Sequence, residues 1–208
     1  MQFKEKESCW QCGHASAQSL FCQYCDSLQP PTPDYFRFFD MEPKLDVDRA
    51  ALEKRFYELS RKLHPDLYTI RPATERQYSL EATAILNDAY RVLRDPVARA
   101  EYVLQRNGFE ATPERNRNVA PELLEEVFEL NMAVEELHSG DESARPQLAA
   151  AREKFAGIRR EIDETLQQLF QDYDAAPSND TLDRIRAVLD RRKYVQNLVS
   201  QVEKELAA

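Results

Sequence analysis

Apolar residues recur at three- and four-residue intervals over most of this chain, the pattern of helices that turn one face to a core. Leu52, Phe56, Leu59 and Leu63 predict a helix that opens near Asp46 or Asp48, either of which can cap it, and stops at Pro65. Tyr78, Ala82, Ile85, Ala89 and Leu93 predict a second helix over about 72–93, antiparallel to the first across a short exposed loop. Asp34-Tyr35-Phe36 starts a short helix before this pair, and Asp95-Pro96 caps another that carries Val97, Ala100, Val103 and Leu104. From Pro121 onward there are three apolar seams: Leu123, Val127, Leu130, Val134 and Leu137; Leu148, Ala151, Phe155, Ile158, Ile162, Leu166 and Leu169; Leu182, Ile185, Leu189, Val195, Val199, Val202 and Leu206. Turn-like residues at 139–141 and 176–180 separate them, so an antiparallel three-helix bundle is expected. No strand-period run of comparable length occurs beyond the cysteine-rich start, and the fold class is all-α.

Two breaks divide the chain. Gln29-Pro30-Pro31-Thr32-Pro33 is too stiff and too poor in N–H donors for helix or sheet. A polar, asparagine-rich stretch at 106–120 is interrupted by Asn107-Gly108 and Pro113. Three modules result, 1–29, 33–106 and 119–208. The charged fraction of 31% exceeds the usual quarter and suits small or elongated helical units better than one thick core. Lys and Arg total 28 against 37 Asp and Glu, a net charge of −9 whose field repels phosphate backbones and anionic lipid. Neither nucleic acid nor a membrane is an expected partner. Four glycines leave little for phosphate-cradling loops. No apolar run approaches the roughly 18 residues of a membrane span, and the start, MQFKEKE, lacks both a signal peptide's hydrophobic stretch and the Arg-rich, acid-poor character of a transit peptide. The cytoplasm is the expected compartment, with the mitochondrial matrix after processing as the alternative.

All four cysteines lie near the start, as Cys9-x2-Cys12, nine residues, then Cys22-x2-Cys25. Two disulfides are one reading, but a secreted scaffold spreads its cysteines through the chain. In the other, each pair turns a knuckle of backbone and the four sulfurs complete a tetrahedron about Zn2+ at about 2.3 Å. Four sulfurs leave no position open for water, so that role is structural and not hydrolytic. Iron is the competing metal. His14 is the competing ligand, though beside four thiolates it reads as a solvated knuckle residue. The segment has too few apolar residues to fold alone, so metal binding supplies its folding free energy. Trp10, Leu20 and Phe21 are expected to form a lid over the knuckles. A zinc ribbon for nucleic acid would need a basic stripe, whereas Lys4, Lys6, Glu5, Glu7 and Asp26 nearly cancel.

The loop between the first helix pair reads His64-Pro65-Asp66, preceded by Arg55, Arg61 and Lys62 on a mostly non-apolar face. Alone, the tripeptide is weak, since a histidine beside a proline is usually a turn. Here it sits at a hairpin tip, with Asn87-Asp88-Ala89-Tyr90-Arg91-Val92-Leu93 after it, then Asp95-Pro96, Arg99 and Tyr102. The ensemble resembles a J domain, the module that engages the ATPase domain of DnaK-type chaperones. That resemblance implies that His64, Pro65 and Asp66, with the cationic face, dock on an ATPase partner and promote its hydrolysis of ATP, the chain itself being no enzyme. Proline rigidifies the loop and the cationic helix steers toward an acidic partner. His64 as a general base lacks a nucleophile nearby in the sequence.

The order of four-cysteine knuckle, proline-rich joint, J domain and acidic bundle is similar to that of HscB-type co-chaperones of iron-sulfur cluster assembly, of the subgroup with an added N-terminal knuckle. Cys9-Trp10-x-Cys12-Gly13, Leu20-Phe21-Cys22-x-x-Cys25, Leu28-Gln29-Pro30-Pro31 and Arg99-Ala100-Glu101-Tyr102-Val103-Leu104 carry the likeness. Residues 121–137 hold six glutamates and no lysine or arginine, and a second stripe, Leu124, Phe128 and Met132, runs beside the core seam. That stripe either completes the core or is an exposed partner site ringed by acid. The family resemblance implies the latter: Leu124, Phe128, Glu129 and Glu136 match a first bundle helix that binds an IscU-type scaffold, and Tyr194 matches an aromatic on the last helix. Met132 stands where better-known members have glutamate, and Glu125 where they have an apolar residue. The implied partners are an HscA/DnaK-type ATPase and the scaffold. A general J-domain co-chaperone for unfolded clients is the alternative. For the knuckle three roles are open: stabilising the J domain, self-association into a homodimer, or contact with another assembly factor.

Overall fold

The computed structural model describes residues 8–15, 19–109 and 123–207. They form seven α-helices: α1 Tyr35–Phe38, α2 Arg49–Leu63, α3 Ala73–Arg94, α4 Pro96–Arg106, α5 Leu124–His138, α6 Arg145–Ala175 and α7 Asn179–Ala207, with 3-10 turns at Pro65–Tyr68 and Glu142–Ala144. No strand occurs among the described residues; two isolated antiparallel bridges, Ser8 to Ala15 and Phe21 to Leu28, lie at the cysteines. None of these helices is long and apolar enough to cross a membrane. The chain divides into two compact units, Met1–Arg99 and Ala100–Ala208. The joint expected at 106–120 lies mostly outside the described residues.

In the first unit the Asp48 carboxylate caps α2, accepting from the N–H groups of Ala50 (2.9 Å) and Ala51 (3.2 Å). Helix α3 returns antiparallel, since Arg49 at the start of α2 donates to the carbonyl of Arg94 at the end of α3. Phe36, Phe38, Leu52, Leu63, Leu86 and Leu93 are fully buried, each contributing about 1.5–3 kcal/mol of apolar transfer. Asp95 accepts from the Ala98 N–H at 2.8 Å and opens α4. The buried Arg99 donates to the carbonyls of Leu45 and Leu93, tying the α1–α2 loop to the end of α3.

The seam of α3 differs from the expected one at its start. Glu75, Ser79 and Leu86 are buried, while Tyr78 and Ile85 are half-buried. Two polar side chains enter this core because each has a fixed partner there. The lid is also different. Trp10 turns toward α3, its ring edge-on to Tyr78 at 6.3 Å and its indole N–H donating to the Leu28 carbonyl at 2.8 Å. Leu20 and Phe21 are half-buried and Leu28 is fully buried.

In the second unit α6 and α7 run antiparallel, cross-linked by Arg159 to Gln196 (2.6 Å), Arg192 to Asp163 (2.5 Å) and Arg145 to the Leu206 carbonyl (3.2 Å). Helix α5 lies along α6, where Glu126 pairs with Lys154 at 3.2 Å, and His138 at its far end reaches Glu205 of α7 at 2.7 Å. The three-helix bundle is therefore unequal, with α5 half the length of its neighbours. Leu130 and Ala133 carry its buried face, while Val127, Val134 and Leu137 are half-buried.

Candidate functional site

The four cysteine sulfurs lie within 4.8 Å of one another. Two knuckles offset by thirteen residues build the cluster from the same bonds. Cys9 N–H donates to the His14 carbonyl and Gly13 N–H to the Cys9 carbonyl; Cys22 N–H donates to the Ser27 carbonyl and Asp26 N–H to the Cys22 carbonyl. Gly13 and Asp26 both hold positive φ, 72° and 56°, a conformation glycine takes freely and aspartate tolerates. The N–H groups of Gln11 and Tyr24 point at the sulfurs of Cys9 and Cys22, at 3.4 and 3.5 Å.

Sulfurs of Cys9 and Cys25 are 3.7 Å apart and those of Cys12 and Cys22 are 3.8 Å apart. A tetrahedral ion with sulfur bonds of about 2.3 Å needs sulfur–sulfur edges of about 3.8 Å, so the cluster fits a metal ion. These separations exclude disulfides, which need about 2.05 Å, and all four cysteines are free. Burial raises Cys9, but the Ser27 hydroxyl and nearby N–H groups outweigh it and hold it low. Ser27 likewise lowers Cys25. The His14 backbone lowers Cys12, yet burial and the three neighbouring sulfurs together drive it up. Ser27 Oγ, 3.4 Å from Cys9 Sγ and 3.1 Å from Cys25 Sγ, and the Gln29 amide, 3.4 Å from Cys9 Sγ, surround the sulfurs. His14 remains outside, exposed and stacked on Tyr24 at 4.6 Å.

The second feature is the tip of the α2–α3 hairpin. His64 ends α2 with non-helical backbone, Pro65 opens the 3-10 turn, and the Leu67 N–H closes it on the His64 carbonyl at 3.0 Å. Asp66 N–H donates to His64 Nδ1 at 3.3 Å, which in the neutral ring leaves the proton on Nε2. His64, Asp66, Arg61 and Lys62 are exposed; Pro65 and Arg55 are half-buried, Arg55 paired with Glu58 at 3.5 Å. Helix α2 carries five basic and two acidic residues. Beneath the tip, the last two carbonyls of α2 are met from inside: the hydroxyl of Tyr68 donates to Lys62 (2.9 Å), and those of Ser79 (2.7 Å) and Thr83 (3.2 Å) to Leu63. The cationic tip is legible in sequence, whereas these anchoring hydroxyls carry no motif.

The third feature is α5. Leu124, Phe128 and Met132 are 55%, 65% and 48% exposed, so the stripe does not complete the core. Glu125, Glu129, Glu135 and Glu136 are exposed around it. Between α5 and α6 a cleft of about 450 Å³ is lined by Glu126, Glu129, Met132, Glu136, Lys154 and Phe155 among others. Tyr194 is half-buried on α7, its hydroxyl pKa raised by burial. It lies two residues from Gln196, which Arg159 of α6 bonds, while Lys154, just over a turn earlier in α6, bonds Glu126. Gln196 and Glu126 are thus bonded to neighbouring turns of α6. Glu122 lies outside the described residues.

The family model described as the HSCB C-terminal oligomerisation domain matches residues 119–203. The iron-sulfur cluster co-chaperone protein HscB homolog of Arabidopsis thaliana is 31% identical over 200 residues, 95% of this chain and 74% of that protein. The co-chaperone protein HscB homolog of Vibrio vulnificus is 30% identical over 170 residues, 82% of this chain and 95% of its own. The crystal structure of human co-chaperone protein HscB superposes with a TM-score of 0.74 at 26% identity, covering 97% of this chain and all of that one. With the four-cysteine centre, the hairpin tip and the acidic helix all present, this chain belongs to the HscB family of co-chaperones.

Proposed function

We propose that this chain recruits an HscA/DnaK-type ATPase through His64-Pro65-Asp66 and the basic face of α2, and presents to it an IscU-type scaffold held on α5 with Tyr194. The observation that carries this reading is the tripeptide's setting: His64 and Asp66 are exposed at the tip, yet the α2 residues just before them are fixed from below by three hydroxyl-to-carbonyl bonds. A docking loop held in one conformation loses less entropy on binding than a mobile one. On this reading the nucleotide chemistry belongs to the partner, and this chain positions the partner's catalytic machinery. The stripe on α5 supplies apolar contact and its glutamates set charge and orientation. We assign zinc to the knuckle: four thiolates fill its coordination shell and leave no open position, so the ion supplies folding free energy and no reaction step. Free thiols at this spacing suit a reducing compartment such as the cytoplasm.

The test is steady-state ATP hydrolysis by an HscA-type chaperone with scaffold present. Wild type is expected to raise turnover and His64→Gln to leave it near the basal rate. Equal stimulation by the two would overturn the reading.

A further inference from the structure

The four-cysteine knuckle and the hairpin tip meet the same face of α3. Leu28, leaving the second knuckle, is fixed on both sides of its backbone. Its N–H donates to Glu75 Oε1 at 2.9 Å, and its carbonyl accepts from Trp10, whose ring lies edge-on to Tyr78. One helical turn beyond Glu75 is Ser79, and four residues further is Thr83; both hydroxyls donate to the carbonyl of Leu63, the residue before His64. Tyr68, whose hydroxyl holds the Lys62 carbonyl, is buried beside them. Its hydroxyl is raised first by that burial and then by the charges of Glu75 and of Asp26, which occupies the second knuckle's left-handed turn. Knuckle and tip are therefore both bonded to side chains on one face of α3.

Glu75 is only 3% exposed. Burying a carboxylate is unfavourable unless it is hydrogen-bonded, and an alanine there would suit the helix better by propensity alone. Its bond to Leu28 spans 47 residues, so it serves the junction as well as its own helix.

We propose that the metal-loaded knuckle is a positioning element of the His64-Pro65-Asp66 loop, acting through Glu75 and Ser79 on one face of α3. This rests on the co-chaperone reading for its consequence and on geometry alone for its existence. When the ion leaves, the knuckle loses what holds its backbone, Leu28 no longer pins Glu75, and the start of α3 loosens under the α2 carbonyls that set the direction of His64.

The experiment compares the full chain loaded with Zn2+ and stripped of it by a chelator. Native-state hydrogen exchange is read at the Leu67 and Arg71 amides, which bond the His64 and Tyr68 carbonyls. Stripping is expected to speed exchange at these amides by about tenfold or more while α6 and α7 stay unchanged. Glu75→Ala in the loaded protein should reproduce the effect, and Glu75→Gln, which keeps an acceptor for Leu28, should restore most of the protection. In the ATPase assay, stripping or Glu75→Ala should raise several-fold the concentration for half-maximal stimulation and leave the maximum in place. His64→Gln should instead abolish the maximum. If stripping frees the Cys9 and Cys22 amides but leaves Leu67 and Arg71 as protected as before, the proposal is overturned. Should Glu75→Ala not fold, the stripping and Glu75→Gln comparisons decide between the same two outcomes. Failure of the loaded wild type to stimulate would sink the co-chaperone reading, with the exchange comparison still deciding the brace.

Discussion

Phe128 and Phe155 are the same side chain in two settings. Phe155 of α6 is fully buried and Phe128 of α5 is 65% exposed. Truncating the first to alanine leaves a cavity and should cost about 3–5 kcal/mol of stability. Phe128→Ala should stay within about 0.5 kcal/mol, because a surface ring has little to lose on folding. It should still weaken scaffold binding by more than about 1.4 kcal/mol, a factor of ten, if it is an anchor of that surface. Thermal unfolding and titration with an IscU-type scaffold separate the two quantities, and undiminished capture by a Phe128→Ala, Tyr194→Ala double variant would refute the placement. Phe128 was legible in sequence as one of a stripe, though spacing alone left open which way the stripe faced. Glu75 and Ser79 were not legible at all. Their partners stand 47 and 16 residues away, and a polar residue at a core position looks like a break in the seam until its partner is known. The cysteines were the opposite case, since each knuckle's bonds close within six residues and the spacing therefore carries the geometry.

At the scale of elements, α5 has no side-chain cap at Leu123 and is shorter than the helices beside it. Its attachment to α6 rests in part on two carboxylates. Glu126 is held below its ordinary pKa by its own backbone N–H and then by the Lys154 ammonium; Asp141, capping the turn between the helices, is held low by the hydroxyl and N–H of Ser143. Groups shifted this way contribute stability that is complete above their unfolded values, about 4.3 for Glu and 3.9 for Asp. That contribution is lost as pH falls through the lower folded values. The thermal midpoint of this unit should therefore fall between about pH 5 and about pH 3, and fall less in a Glu126→Gln, Asp141→Asn double variant. Parallel curves for the two proteins would mean that these carboxylates do not hold α5. Helix boundaries at Pro65 and Asp95 were readable because such signals are local, and the start of α2 was narrowed to Asp46 or Asp48, of which Asp48 is the cap. The inequality of the bundle was not, because a heptad-like seam predicts that a helix packs but not how much of a neighbour it covers.

Across the whole molecule, charge is divided unevenly. Met1–Arg99 holds fourteen basic and fifteen acidic residues, net −1, and Ala100–Ala208 fourteen and twenty-two, net −8. The cationic face of α2 thus belongs to a nearly neutral unit, and the acidic α5 to a strongly negative one. On the proposed reading, an acidic ATPase approaching the tip would meet two forces: attraction by the local patch and repulsion by the total of −9. At physiological ionic strength the Debye length is about 8 Å, so charges farther than that from the docking surface are largely screened. The patch should prevail. Association with an HscA-type ATPase, followed by stopped flow, should slow as salt rises from about 50 to about 300 mM, with dissociation little changed, because such charges act mainly on encounter. In an Arg61→Glu, Lys62→Glu variant the dependence should flatten or reverse. If wild-type association quickens with salt instead, the net charge governs the encounter and α2 does not steer it.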